Sequence, residues 1–153
     1  MGFQDFFNVI FMEEKMEEYK VKYEINPKDF CKIRESLNWN KLDEKQVENA
    51  INNSMINISV EYDDKCVGVG RIVGDGVLKG MLTDIMVMKQ YQSKGIGKLI
   101  VTGLLNKLYE RIKDGETFQI EANPTFGNRE FYIKCGMKYK PQNQDGVYIW
   151  INK

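Results

Sequence analysis

Histidine is absent from all 153 residues, and that absence removes every mechanism built on an imidazole. No Ser-His-Asp or Cys-His arrangement can form, so catalysis here draws on Tyr, Asp, Glu, Lys, Cys, backbone N–H groups or water. Cysteine is scarce: Cys31, Cys66 and Cys135 are odd in number and far apart. They match neither a disulfide framework nor a zinc site, and reduced thiols in a cytoplasmic protein are the simplest reading. Net charge is also lacking, because 22 Lys and Arg offset 22 Asp and Glu. No global field favours nucleic acid or an anionic membrane, so any anion site must be local. No run approaches the ~20 apolar residues of a membrane span. The leading MGFQDFFNVIFMEEKMEEYK has acidic or polar flanks and no basic start, which argues against a secretory signal.

What is present fits an ordered domain. The chain is 42% hydrophobic and 12% aromatic with three prolines, and a domain this long buries about 70% of the surface of its unfolded form. Residues 1–18 read as an N-terminal extension or short helix, and 19–153 as a single domain with no repeat or linker. Tyr19–Ile25 alternates like a strand. Asn26-Pro27 then caps a helix through FCKIRESL, and a second short helix follows over LDEKQVENAINNS. INISVEY, CVGVGRIVG and GMLTDIMVM predict three antiparallel strands, the last central. A helix from about Gly95 to Ile112 carries Ile96, Leu99, Ile100, Gly103, Leu104, Lys107 and Leu108 along one face. FQIEAN, a short helix NREFYIKC, KYKP and VYIWINK complete an α+β (mixed α/β) order.

Two glycine patterns stand out. Gly68-Val69-Gly70-Arg71-Ile72-Val73-Gly74 looks superficially like a dinucleotide fingerprint, but its third glycine falls one position late and no helix follows. Small residues in a strand are the better reading. Gln92-Ser93-Lys94-Gly95-Ile96-Gly97 has the right context instead: a strand ends, glycines bend the chain and a long helix begins. Unpaired N–H groups and the positive helix end converge there, glycine allows close approach, and Lys94 and Lys98 add charge, which suits a pyrophosphate. The spacing excludes a Walker loop.

That stretch, Val87-x-x-x-x-Gln92-x-x-Gly95-x-Gly97, resembles the Q/R-x-x-G-x-G/A signature of GNAT-type N-acetyltransferases. Phe131-Tyr132-Ile133-Lys134-Cys135-Gly136-Met137 is similar to a second segment of that family, F/L-Y-x-K-x-G-F/M. The resemblance implies a GNAT-like fold, a central mixed and mostly antiparallel sheet flanked by helices, with acetyl-CoA as co-substrate and no metal. It implies that Ile85, Met86 and Val87 bind the pantetheine arm, with a backbone N–H at Val87 or Met88 polarising the thioester carbonyl. Gln92, Ser93, Lys94, Gly95, Ile96, Gly97 and Lys98 would then cradle the pyrophosphate, and Tyr132 would protonate the departing sulfur.

For a base, Asp84 interrupts an apolar strand and is a candidate, with Glu121 and Glu130 as alternatives; a structural pairing of Asp84 with Arg71 is an equal reading. Arg34 and Trp39 fall where the resemblance places the acceptor, and Trp39 also reads as a core anchor. Cys135 reads as a buried thiol. The pattern departs from the family at Thr125, where asparagine is common, at Asn128, and at Lys89-Gln90, where a proline is usual. The expected activity is acetyl transfer to a primary amine of a small molecule by direct attack. A protein amino terminus or lysine as acceptor, a longer acyl donor, and a non-catalytic acyl-CoA sensor are the other readings. Exposed strand edges near the carboxyl end are consistent with a homodimer.

Overall fold

The computed structural model describes residues 18–125, 127–141 and 146–153, so the expected extension over 1–18 lies outside it apart from Glu18. Strand β1 (Lys20–Lys22) is followed by helices α1 (Pro27–Ser36) and α2 (Glu44–Asn52). Both helices start on side-chain caps: Asn26 accepts from the Lys28 N–H at 2.9 Å and Asp43 from the Gln46 N–H at 2.9 Å. Strand β1 is shorter than the expected 19–25. The chain must leave the sheet edge early to bury Ile25 beside Phe30 and Ile33 under α1.

Strands β2 (Ile56–Tyr62), β3 (Lys65–Gly74) and β4 (Lys79–Val87) form an antiparallel meander. Asp63 and Asp64, both at positive φ, make the first tight turn. Asp75 makes the second by accepting the N–H groups of Val77, Leu78 and Lys79. Helix α3 (Ile96–Arg111), β5 (Thr117–Ala122), α4 (Arg129–Lys134), β6 (Lys138–Tyr139) and β7 (Val147–Asn152) follow. The described residues form one seven-stranded sheet, ordered β1-β2-β3-β4-β5-β7-β6, in which only β4 and β5 run parallel. Strand β4 is central, as its apolar run predicts.

Helix α3 covers one face of the sheet, α1 and α2 the other, each over its own apolar core. The buried arc of α3 is wider than the expected stripe and adds Val101, Thr102 and Leu105. Lys107 instead lies over the Tyr23 ring on the outer side. The glycines of β3 are explained by this packing: a Cβ on Gly70 would lie 2.5 Å from Ile100 and 2.8 Å from Ile85. They let α3 approach a continuous strand, and no nucleotide loop exists there. Gly70→Val should therefore destabilise the fold by about 1–3 kcal/mol, read as a lower denaturation midpoint. An unchanged midpoint would show that the helix does not press on β3.

Candidate active site

The site begins with a defect in β4. Asp84 adopts φ +50, a left-handed conformation that is rare without glycine, and the β3–β4 register shifts between Val69 and Arg71 opposite it. The parallel pairing of β4 with β5 ends at Leu82 and Ala122, while β4 continues to Val87. A gap opens between the two strands past the bulge.

Backbone groups face that gap by strand alternation. Met88 donates its N–H to the Val67 carbonyl at 2.8 Å, so it is committed to β3. The Val87 N–H and carbonyl then point the other way, toward the gap, as do those of Ile85. Gln92 Nε2 donates to the Val87 carbonyl at 3.0 Å, tying the next loop to the strand end. Of the two expected carbonyl-polarising donors, Val87 is the one left open. Met86 is different again: its side chain is 1% exposed in the α1/α2 core and its backbone pairs with Val69, so it lies behind the gap.

The loop after β4 turns through a short 3-10 segment, Lys89–Tyr91, and then through Ser93 at φ +60 and Gly95 at φ +88. The first full turn of α3 is closed by the Leu99 N–H on the Gly95 carbonyl at 3.0 Å. The N–H groups of Ile96, Gly97 and Lys98 precede that bond and project from the positive end of a sixteen-residue helix. The Ile96 side chain is buried in the core, so only its backbone reaches this end. Gly97 brings Phe131 of α4 close: a Cβ there would stand 3.2 Å from the ring. Lys94 lies over the Tyr91 ring at 5.6 Å.

These elements surround one cleft of about 790 Å³, walled by Trp39, Asp84, Val87, Gln92, Gly97 and Tyr132 among others. Residues separated by nearly a hundred positions thus share a single space. Asn123, Thr125, Asn128 and Lys134 also line it, though none stood among the expected site residues and Thr125 and Asn128 figured only as departures from the family pattern. The turn after β5 holds the first three, and Asn128 Nδ2 bonds the Thr125 hydroxyl at 2.6 Å. The loop composition Asn-Pro-Thr was the available signal.

Burial pushes the Tyr132 hydroxyl up to about 12, with a smaller contribution from Cys135, so the phenol remains protonated at neutral pH. Burial raises the Cys135 thiol to about 12 and the Cys66 thiol to about 11. Both should resist iodoacetamide at pH 8 in the native protein and react only after denaturation. Rapid native labelling at Cys135 would contradict that placement.

Asp84 realises the pairing that stood as one of its two readings. Its Oδ2 accepts Arg71 Nε at 2.9 Å and Nη2 at 2.7 Å, and its Oδ1 makes a longer contact with Arg34 Nη1 at 3.4 Å. Arg71 also bonds the Ala50 carbonyl and Ser54 Oγ, and Arg34 reaches the Asn40 carbonyl and the Trp39 ring. The clamp fastens the β4 bulge to both helices of the other face. Asp84→Ala would leave two largely buried guanidinium groups without their counter-ion and should cost about 3 kcal/mol, measured by urea denaturation. A loss below about 0.5 kcal/mol would show the clamp to be idle.

The other carboxylates lie elsewhere. Glu121 pairs with Lys140 at 2.7 Å and Lys79 at 2.8 Å, which hold it below the usual carboxyl range, and Glu130 accepts from the Tyr139 hydroxyl. Neither lines the cleft. Among the described residues no cluster of metal-ligating side chains occurs and no helix is long and apolar enough to cross a membrane.

A family model for the acetyltransferase (GNAT) domain matches residues 21–150. Ycf52 of Gracilaria tenuistipitata var. liui, an uncharacterized N-acetyltransferase, is 26% identical over 128 residues, covering 81% of this chain and 68% of that protein. The fold is shared with SA2161 of meticillin-resistant Staphylococcus aureus, a probable acetyltransferase (TM-score 0.69, 23% identity, 83% of this chain and 93% of that one). It is shared too with the GNAT family protein SP0256 of Streptococcus pneumoniae TIGR4 (TM-score 0.63, 24% identity, 88% and 97%).

Proposed function

This chain belongs to the GNAT acetyltransferase family, an acetyl-CoA-dependent N-acetyltransferase, and we propose that its cleft transfers the acetyl group to a primary amine of a small molecule by direct attack. The observation that carries the proposal is the convergence in one cleft of an N–H-rich helix start, an open strand edge, a buried phenol and the acidic bulge.

The residues fit the coenzyme. Gly95 at positive φ and Gly97 bare of a Cβ keep the α3 start accessible, so the Ile96, Gly97 and Lys98 N–H groups, with Lys98 itself, would hold its pyrophosphate. The exposed backbone edge at Ile85 and Val87 would hold the pantetheine arm, and acetyl-CoA supplies an acetyl group activated as a thioester. In this reading the Val87 N–H donates to the oxygen on which charge develops. Tyr132 keeps its proton until a thiolate leaves and then delivers it. Asp84 holds the bulge and, through the weakly engaged Oδ1, receives the amine proton by way of water. Trp39, 39% exposed at the cleft wall, is an apolar surface for the acceptor.

Initial rates with acetyl-CoA and amine varied together should give intersecting double-reciprocal lines; parallel lines would indicate a covalent enzyme intermediate and contradict direct attack. A peptide amine outcompeting every small amine would overturn the acceptor assignment. Three unpaired thiols support a reducing, cytoplasmic location. Exposed Tyr139 and Trp150 near the β6 edge support a homodimer, which sedimentation would show as twice the monomer mass.

A further inference from the structure

Charge in the cleft is lopsided. Asp84 is the one carboxylate among the described lining residues, while Lys98 and Lys134 line the same space, and Arg34 and Arg71 pair with Asp84 from just outside that lining. With Lys98 given to the pyrophosphate, Lys134 and the two arginines around Asp84 still exceed its single negative charge, which disfavours an acceptor with a second cationic group. The two arginines differ in what remains available. Arg71 is engaged through Nε, Nη1 and Nη2. Arg34 uses Nε on the Asn40 carbonyl and Nη1 on Asp84, and its Nη2 makes no hydrogen bond among the described residues. Its side chain is only 15% exposed, so the remaining donors are partly desolvated and favour an anionic acceptor strongly. The same guanidinium lies 5.2 Å from the centre of the Trp39 ring, whose exposed side faces the cleft.

We propose that the acceptor is an amine carrying an acid group, carboxylate or phosphate, a few bonds away, with the acid group held by Arg34 and the amine directed to Asp84 Oδ1. The proposal rests on the transferase reading. Arg34 and Asp84 are in direct contact at 3.4 Å, so groups bound to each lie close enough to belong to one small molecule. Trp39 would cover the apolar remainder.

The test compares matched acceptors: phenethylamine against phenylalanine, ethanolamine against phosphoethanolamine, and spermidine as the polycation. The acid member of at least one pair should show a kcat/KM about tenfold or more above its partner, and which pair responds tells carboxylate from phosphate. Arg34→Met should bring that ratio to about one, and Arg34→Lys should keep part of it. Taking the ratio within each enzyme cancels any loss of folded protein. Equal rates within both pairs, or spermidine preferred, would overturn the proposal while leaving the transferase reading intact. No acetylation of any amine would instead fail the transferase reading. The anion site is then read directly, because 3-phenylpropionate or inorganic phosphate should raise the melting temperature of the wild type and not of Arg34→Met. Absence of that difference also overturns it.

Discussion

Replacing Tyr132 with phenylalanine should lower kcat for acetyl transfer about a hundredfold while acetyl-CoA affinity stays within about twofold. The substitution keeps the ring and its edge contact with Phe131, whose centroid lies 5.0 Å away, and removes only the hydroxyl of this cleft-lining residue. Because burial raises that hydroxyl to about 12, the sign of its pH dependence is fixed. The acid form is fully present at neutral pH and is lost only as pH rises through the raised value. Tyr132 should therefore impose no alkaline fall in kcat below about pH 10. The measurement is single turnover, where chemistry limits the rate. Wild-type kinetics in the variant would remove Tyr132 as the acid and leave water to protonate the thiolate.

Gly95→Leu should weaken acetyl-CoA binding about a hundredfold, the loss expected when two charge-assisted hydrogen bonds are blocked. Gly95 sits at φ +88 immediately before α3. A side chain there is strained by about 1–2 kcal/mol and adds bulk at the residue that immediately precedes the first-turn N–H groups. Gly95→Ala separates the two effects, since it carries the strain with little bulk. It should lower stability similarly and lose far less affinity. Calorimetry decides between them: unchanged affinity in a folded Gly95→Leu would refute the phosphate cradle.

The parts of this fold that follow local rules were legible in advance. Whereas the Asp43 cap of the second helix emerged only in the structure, Asn26-Pro27 announces its helix because the cap and first-turn proline are written side by side. The glycine-spaced bend before α3 was legible for the same reason. The bulge was not, because a left-handed Asp84 is imposed by Arg71 and by Arg34, fifty positions away. That kink decides which backbone groups reach the gap, so it also hid the separation of Val87 from Met88 and the burial of Met86. Helix α3 shows a related limit: a stripe on a helical wheel cannot reveal that further elements bury its flanks at Val101 and Leu105. The cleft's Asn123, Thr125, Asn128 and Lys134 were invisible as a set because only tertiary folding brings the turn after β5 to the α3 start.

The most direct test of the central claim is thermal unfolding with acetyl-CoA, with NAD and ATP as controls. A ligand that binds only the native state at about 100 times its dissociation constant stabilises it by roughly 2.7 kcal/mol, a rise of about 5–10 °C for a domain of this length. The account predicts that rise with acetyl-CoA and little with NAD or ATP, because in the proposed arrangement the α3 start holds the pyrophosphate and the open strand edge the pantetheine arm, which NAD and ATP lack. No rise at saturating acetyl-CoA, or an equal rise with ATP, would contradict it.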